Sequence, residues 1–231
     1  MDRDLLTGAW FTGQDEKGME KEKDHISYDP RDLSIPKLQG LVQGAVAPRP
    51  IAYASTIDLQ GRPNLSPFSF FNVFGMNPPL LIFSPSRRGR ENTVKDTYLN
   101  VKEIQEVVIN VVSFSMVQKV SDSSANFPRG VNEFEKVGFT MLPSDLVKPF
   151  RVKESPVQFE CKVLQVIETG NQGSAGNLVL CEILRMHIAP AILDEQGRID
   201  QHKIDLEGRM GRDYYVRASG AALFEVPKPE D

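Results

Sequence analysis

Two cysteines, three histidines and one tryptophan are all that the 231 residues contain of those types. Cys161 and Cys181 are too few for a disulfide framework or a four-ligand zinc site. Both lie in alternating apolar runs, which predicts buried, reduced thiols. His25, His187 and His202 are scattered, with no pair on one helical turn, so no metal site is expected. His187, inside an apolar strand, is expected to be a hydrogen-bonded structural imidazole, the other two to be solvated, and none is assigned to catalysis. No apolar run approaches the roughly 20 residues of a membrane span, and the opening MDRDLLTGAWF carries acids where a secretory signal has positive charge. A cytoplasmic protein without membrane contact is expected. A basic excess is missing as well: the net charge of −4 argues against a nucleic-acid surface. Neither a GxGxxG after a strand nor a GxxxxGK[ST] occurs, so no Rossmann or P-loop site is supported. The glycine-rich stretch 170–176 joins two strands and reads as a hairpin tip.

What is present is ordinary globular material, 40% hydrophobic and 25% charged. A fold of this length buries roughly 70% of its unfolded surface and needs no staple. Residues 1–26 read as a polar N-terminal extension, dominated by the charged run 14–24, and residues 27–231 as one folded domain. Trp10 and Phe11 ahead of that run suit docking on a partner subunit or packing on their own domain. Strands are predicted at 50–57, 64–74 and 80–84, separated by a Gly61 turn and by the break at 76–79. A short helix is predicted over 92–99, with Thr93 and Asp96 spaced as a capping box. The run 107–112 suits a strand buried on both faces, 115–124 and 132–137 read as helices, and 157–168 with 178–188 forms a long hairpin. The order predicts a mainly β fold with α decoration, a mostly antiparallel barrel.

Between Ser66 and Thr97 the chain concentrates small hydroxyls (Ser66, Ser69, Ser84, Ser86, Thr93, Thr97) beside Arg87, Arg88, Arg90 and Lys95. Short donors, cations and a helix N-terminus are what a phosphate needs; the same composition also serves plain soluble turns. The neighbouring segment SPFSFFN (66–72) carries aromatics on both faces and Pro67 inside, which predicts an edge strand next to a ligand or another subunit.

At this point the residues become familiar. The series PRPIAYAST (48–56), GRPN (61–64), SPFSFFN (66–72), PPLLIFS (78–84) and KDT (95–97) resembles the flavin reductase-like domain family, to which flavoredoxin belongs. The similarity continues through NVV (110–112), FPRGVNEFE (127–135), ESP (154–156), Glu160-Cys161 and GRMGRDYY (208–215), covering about residues 27–219. The resemblance implies an antiparallel split β-barrel of the FMN-binding type, a homodimer with one FMN near the subunit interface. It implies Arg49, Pro50, Ile51 and Tyr53 as contacts of the flavin ring, and Ser66, Pro67, Phe68 and Ser69 along the ring edge and the ribityl phosphate. Ser84 would end the next strand facing the same site, Lys95 and Thr97 would hold the phosphate, and Asp96 would cap the helix or order Lys95. Tyr53 stands where family members often carry Trp, and Arg212 where a second adjacent Gly is often seen.

Because such chemistry resides in the flavin, no triad or poised acid and base is required, and none is evident. Three functions stay open: an oxidoreductase taking electrons from NADH or NADPH and passing them to free flavin or another acceptor; a flavoredoxin-like carrier reduced by a protein partner; or a flavin-binding module without turnover.

Overall fold

The computed structural model describes residues 24–229; Trp10, Phe11 and nearly all of the polar run 14–24 lie outside the described residues. The chain divides into two compact units, one up to Leu38 and one from Gln39 onward. In the first, a 3-10 turn Pro30–Asp32 is capped by Asp29, whose carboxylate accepts the Arg31 N–H at 2.9 Å. The Lys37 ammonium lies 4.7 Å from the centre of the Tyr28 ring. The division falls within helix α1 (Ile35–Ala45).

The second unit opens with β1 (Ala52–Ile57), β2 (Pro63–Phe68), β3 (Phe71–Met76) and β4 (Pro79–Phe83). The β1–β2 turn is organised by Asp58, which accepts the N–H groups of Gln60 and Arg62 at 3.0 and 2.9 Å while Gly61 takes φ +76°. Helix α2 (Asp96–Ile104) leads to β5 (Glu106–Val111), and α3 (Val117–Asp122) and α4 (Glu133–Val137) follow. The short pair β6 (Met141–Leu142) and β7 (Arg151–Val152) precedes the long hairpin of β8 (Val157–Glu168) and β9 (Asn177–Ile188). The chain ends in α5 (Gln201–Ile204) and the hairpin β10 (Leu206–Arg209) with β11 (Tyr215–Ala218).

Seven strands form one antiparallel sheet in the order β2-β1-β5-β8-β9-β4-β3. Its two end strands, β2 and β3, are consecutive in sequence and joined only by Ser69 and Phe70. A two-residue link spans less than about 11 Å, so the two edges of the sheet must meet and the sheet must curl into a barrel. No ladder joins β2 to β3 among the described residues, which makes this seam the split in the barrel. Across it the rings of Phe68 and Phe83 approach to 5.7 Å between centroids.

Strand alternation then fills two cores. Ala52 and Ala54 of β1 point into the barrel with Phe68, Leu81, Val107, Ile109, Cys161 and Cys181. Tyr53 points the other way, into a second core with Leu65, Met116, Val120, Phe134 and Phe139 that α3 and α4 close over the outside of β1 and β2. All six residues of β1 are therefore buried. Asn110 staples the layers: its amide donates to Tyr53 O at 3.0 Å and its carbonyl accepts the Val152 N–H at 2.8 Å.

The mainly β barrel expected from the sequence is what forms, and both thiols are buried and free. Two local expectations are corrected. The single strand over 64–74 is two strands, because the chain turns the barrel corner at Ser69–Phe70 and each half pairs with a different neighbour. The helix over 92–99 begins only at Asp96: Lys95 is still extended (φ −85°, ψ 154°), and Thr93 is held in a turn, its carbonyl accepting the Arg88 N–H at 2.8 Å. The capping box does not form. The cap of α4 does, with Asn132 accepting the Phe134 N–H and Gly138 ending the helix at φ +71°.

Candidate functional site

Two adjoining cavities that share Ser124 lie along β2, the first between β2, helix α3 and the β10–β11 hairpin, the second between β2, the start of α2 and the segment after α3. The larger, about 280 Å³, is walled by Ile51, Pro67, Ser69 and Val120 on one side and by Arg209, Asp213 and Tyr215 on the other. The Arg209 guanidinium lies 4.5 Å from the centre of the Tyr215 ring, so the far wall is a cation laid on an aromatic face. The smaller, about 50 Å³, is enclosed by Ser66, Arg88, Lys95, Thr97, Asn126 and Glu133, among others. Successive residues of β2 thus face different cavities, Ser66 the small one and Pro67 the large one.

The small cavity gathers two cations and free backbone donors beside two carboxylates, Asp96 and Glu133. Lys95 immediately precedes α2 and makes no side-chain capping bond; the backbone N–H groups of Asp96 and Thr97 make no hydrogen bond within the described residues. The Lys95 ammonium lies 4.9 Å over the Phe68 ring, and among the described residues no carboxylate pairs with it. Burial, and the nearby Arg88 charge, push its pKa below the usual lysine value. Arg88 is fixed by Asn126 Oδ1 at 3.0 Å and Val94 O at 2.6 Å. Asn64 holds the helix start in place by donating to Thr97 Oγ1 at 2.9 Å. Asp96 pairs with Arg129 at 3.2 Å. Beneath the cavity, the Tyr53 hydroxyl is fully buried near Ser123 and makes no hydrogen bond among the described residues, while Ser123 itself donates to Val120 O at 2.8 Å. Burial raises the phenol pKa.

The sequence-derived residues distribute as follows. Ile51, Pro67 and Ser69 line the large cavity, and Ser66, Lys95, Asp96 and Thr97 the small one. The Tyr53 ring packs edge-on against Phe139 in the second core, and Phe68 lies in the barrel core. The Arg49 guanidinium is buried and donates to the carbonyls of Gln43, Val46 and Met210, tying the end of α1 to the β10–β11 hairpin. Pro50 is exposed, outside both cavities. Ser84 accepts the Asn177 N–H at 3.1 Å and so ties β4 to β9. Of the remaining cations, Arg87 is held by Asn92 and Arg90 is exposed.

Sequence reasoning did not assign Ser121, Ser124, Asn126, Glu133, Arg209, Asp213 or Tyr215 to the site. Glu133, Arg209, Asp213 and Tyr215 lie in the stretches 127–135 and 208–215, whose similarity to the family was the available signal. Glu207, two residues before Arg209 on the same face of β10, is only 6% exposed, and its Oε1 has no partner. Burial, with the nearby Asp205 charge, pushes its carboxyl up to about 7.

Away from the groove, Asp145, Glu160 and His187 bring ligand-type atoms within 4.8 Å of one another. Their bonds are already committed. Glu160 accepts the N–H groups of Asp145 and Leu146 at 2.8 and 2.6 Å and meets His187 Nε2 at 2.7 Å, while Asp145 pairs with Arg185 at 2.6 Å. The cluster anchors the loop before β7 to the long hairpin, and His187 is the hydrogen-bonded structural imidazole expected of it.

The flavin reductase like domain model matches residues 45–202. An uncharacterised protein of Aquifex aeolicus is 41% identical over 189 residues, covering 82% of this chain and 94% of that protein. Nitrilotriacetate monooxygenase component B from Bacillus cereus superposes with a TM-score of 0.81 at 27% identity, over 87% of this chain and 98% of its own. The 2-nitrobenzoate 2-nitroreductase of Pseudomonas fluorescens gives 0.76, also at 27%, over 89% and 98%. With a barrel split between β2 and β3 and a two-part groove along β2, the chain belongs to the flavin reductase-like domain family, whose function is flavin-linked redox chemistry.

Proposed function

We propose that the protein is an FMN-dependent oxidoreductase whose bound flavin accepts electrons from a reduced nicotinamide and passes them to free flavin or another acceptor. The observation that carries this reading is the two-part groove. A small pocket lined by Lys95 and Arg88 adjoins a larger cavity with an apolar side, which fits a cofactor with a phosphate at one end and a flat ring system at the other. The small pocket, about 50 Å³ and lined by Lys95, Arg88 and Thr97, is of a size for one phosphate group, which supports FMN.

When bound, the flavin supplies the hydride and electron transfer chemistry. The chain's own residues hold and shield it. Lys95, Arg88 and the free amides at the start of α2 neutralise and orient the phosphate, and Ser66, Ser124 and Asn126 add uncharged donors. Ile51, Pro67 and Tyr215 supply apolar contact area, and Ser69 a hydroxyl at the same wall. Arg209, paired with Asp213 at 3.4 Å, would present its guanidinium donors to a ligand in the large cavity.

The exposed apolar side chains of β3, Val73, Phe74 (65% exposed) and Met76 (75%), support a homodimer that covers this edge. The visible spectrum of the purified protein tests the cofactor, and its mass in dilute solution tests the dimer. Anaerobic NADH or NADPH is expected to bleach the yellow protein quickly. Failure of both, with flavin bound, transfers the reading to a carrier reduced by a protein partner.

A further inference from the structure

The small cavity contains a group that an anion site would be expected to exclude. Glu133, the first residue of α4, lines it together with Lys95 and Arg88 and is 8% exposed. Its Oε2 accepts the Leu65 N–H at 3.0 Å, which fixes the carboxyl against β2, and among the described residues its other oxygen accepts no hydrogen bond from another residue. Around it stand Lys95 and Asp96 from the start of α2, Arg88 from the preceding loop, and the buried Tyr53 hydroxyl from β1. Arg129 is engaged by Asp96. Glu135 on the same helix is turned outward, to Asn132 at 2.9 Å. No cation pairs with Glu133 among the described residues, so an ionised carboxylate there would face a bound phosphate at close range in a low-dielectric pocket.

We propose that Glu133 is a proton-carrying ligand of the cradle: a phosphomonoester bound there is held together with one proton on Glu133, which donates to a phosphate oxygen while Oε2 keeps the Leu65 N–H. This rests on the FMN reading of the groove and adds that the affinity of the site is linked to pH. Burial already moves the Glu133 carboxyl above the usual glutamate range, with the Asp96 charge acting in the same direction. A bound dianion moves it further the same way. The sign follows from linkage. The complex retains a proton that the free protein has lost at higher pH, so affinity falls as pH rises through the titration of free Glu133, by at most about tenfold per pH unit. The FMN phosphate itself is mostly dianionic above about pH 7, so it does not produce this fall.

The test is isothermal titration of the full chain with FMN and with riboflavin between pH 7 and 8.5, in two buffers of different ionisation enthalpy, for wild type and Glu133→Gln. The expected result is net proton uptake with FMN in wild type, near zero with riboflavin, and near zero with FMN in Glu133→Gln. The variant should bind FMN as tightly as wild type or more tightly, because the glutamine amide can donate where the ionised acid cannot. Equal proton uptake by wild type and variant overturns the proposal. If neither flavin binds, the flavin reading falls, and the same titration with inorganic phosphate judges Glu133 separately: proton uptake in wild type alone sustains its role, and no difference removes it. If Glu133→Gln does not fold, Lys95→Ala decides: proton uptake confined to FMN that persists in this variant supports the proposal, and its loss there assigns the proton to Lys95 and defeats it.

Discussion

The two ends of the groove are built on opposite principles. The small end is fixed by hydrogen bonds, with two cations, free helix amides and a buried acid gathered around about 50 Å³. The large end, about 280 Å³, is walled by apolar side chains, hydroxyls and an Asp213–Arg209 pair whose arginine is laid on a tyrosine. One end reads charge and the other offers surface. The two environments are kept apart along one strand, β2, whose alternate residues face the two cavities.

Lys95→Ala strikes at this contrast most directly. Loss of the charge-assisted contact should weaken FMN binding by about 1.5–3 kcal/mol and leave riboflavin binding unchanged, as measured by quenching of flavin fluorescence. Equal losses for both ligands would show that the ends do not act separately. Glu207→Gln examines the acid beside the large end. The native carboxyl holds its proton up to about pH 7, whereas the unfolded chain releases it near 4.5. Wild-type stability from this group therefore declines as pH rises between those values. The variant should exceed wild type by about 2 kcal/mol in urea unfolding at pH 8.5, with the gap closing as pH falls to 4.5. Tyr53→Phe removes the partnerless hydroxyl beneath the small end. The ligand-free protein should gain about 1 kcal/mol, because a buried polar group without a bond is removed at little change in shape. Salt gives the smallest effect: raising it from about 0.05 to 0.5 M should weaken FMN binding a few-fold and riboflavin binding hardly at all.

Much of the fold was legible because it is written in periodicity and punctuation. The hairpin of β8 and β9, the buried β5 and the Asn132 and Gly138 boundaries of α4 follow directly from alternation and capping chemistry. The corner at Ser69–Phe70 was not legible, since SPFSFFN alternates without interruption and only closure of the barrel decides where the chain changes partner. The site was half legible. Ser66, Lys95 and Thr97 announce an anion pocket through residue type. The opposite walls, Glu133 and Arg209 with Tyr215, arrive from distant segments, and their residue types carry no local signal. Tyr53 and Arg49 show the converse: residues that look like ligand contacts in sequence are used by the core and by backbone carbonyls.

The corner at Ser69–Phe70 also bears on how such proteins diversify. Both edge strands of the sheet belong to the single stretch Pro63–Met76, so the cavity-lining strand and the exposed apolar edge are inherited together. Exchanging that one segment between relatives would transplant ligand contacts and edge chemistry as a unit, while the five strands between them, and the ladders they form with one another, remain in place.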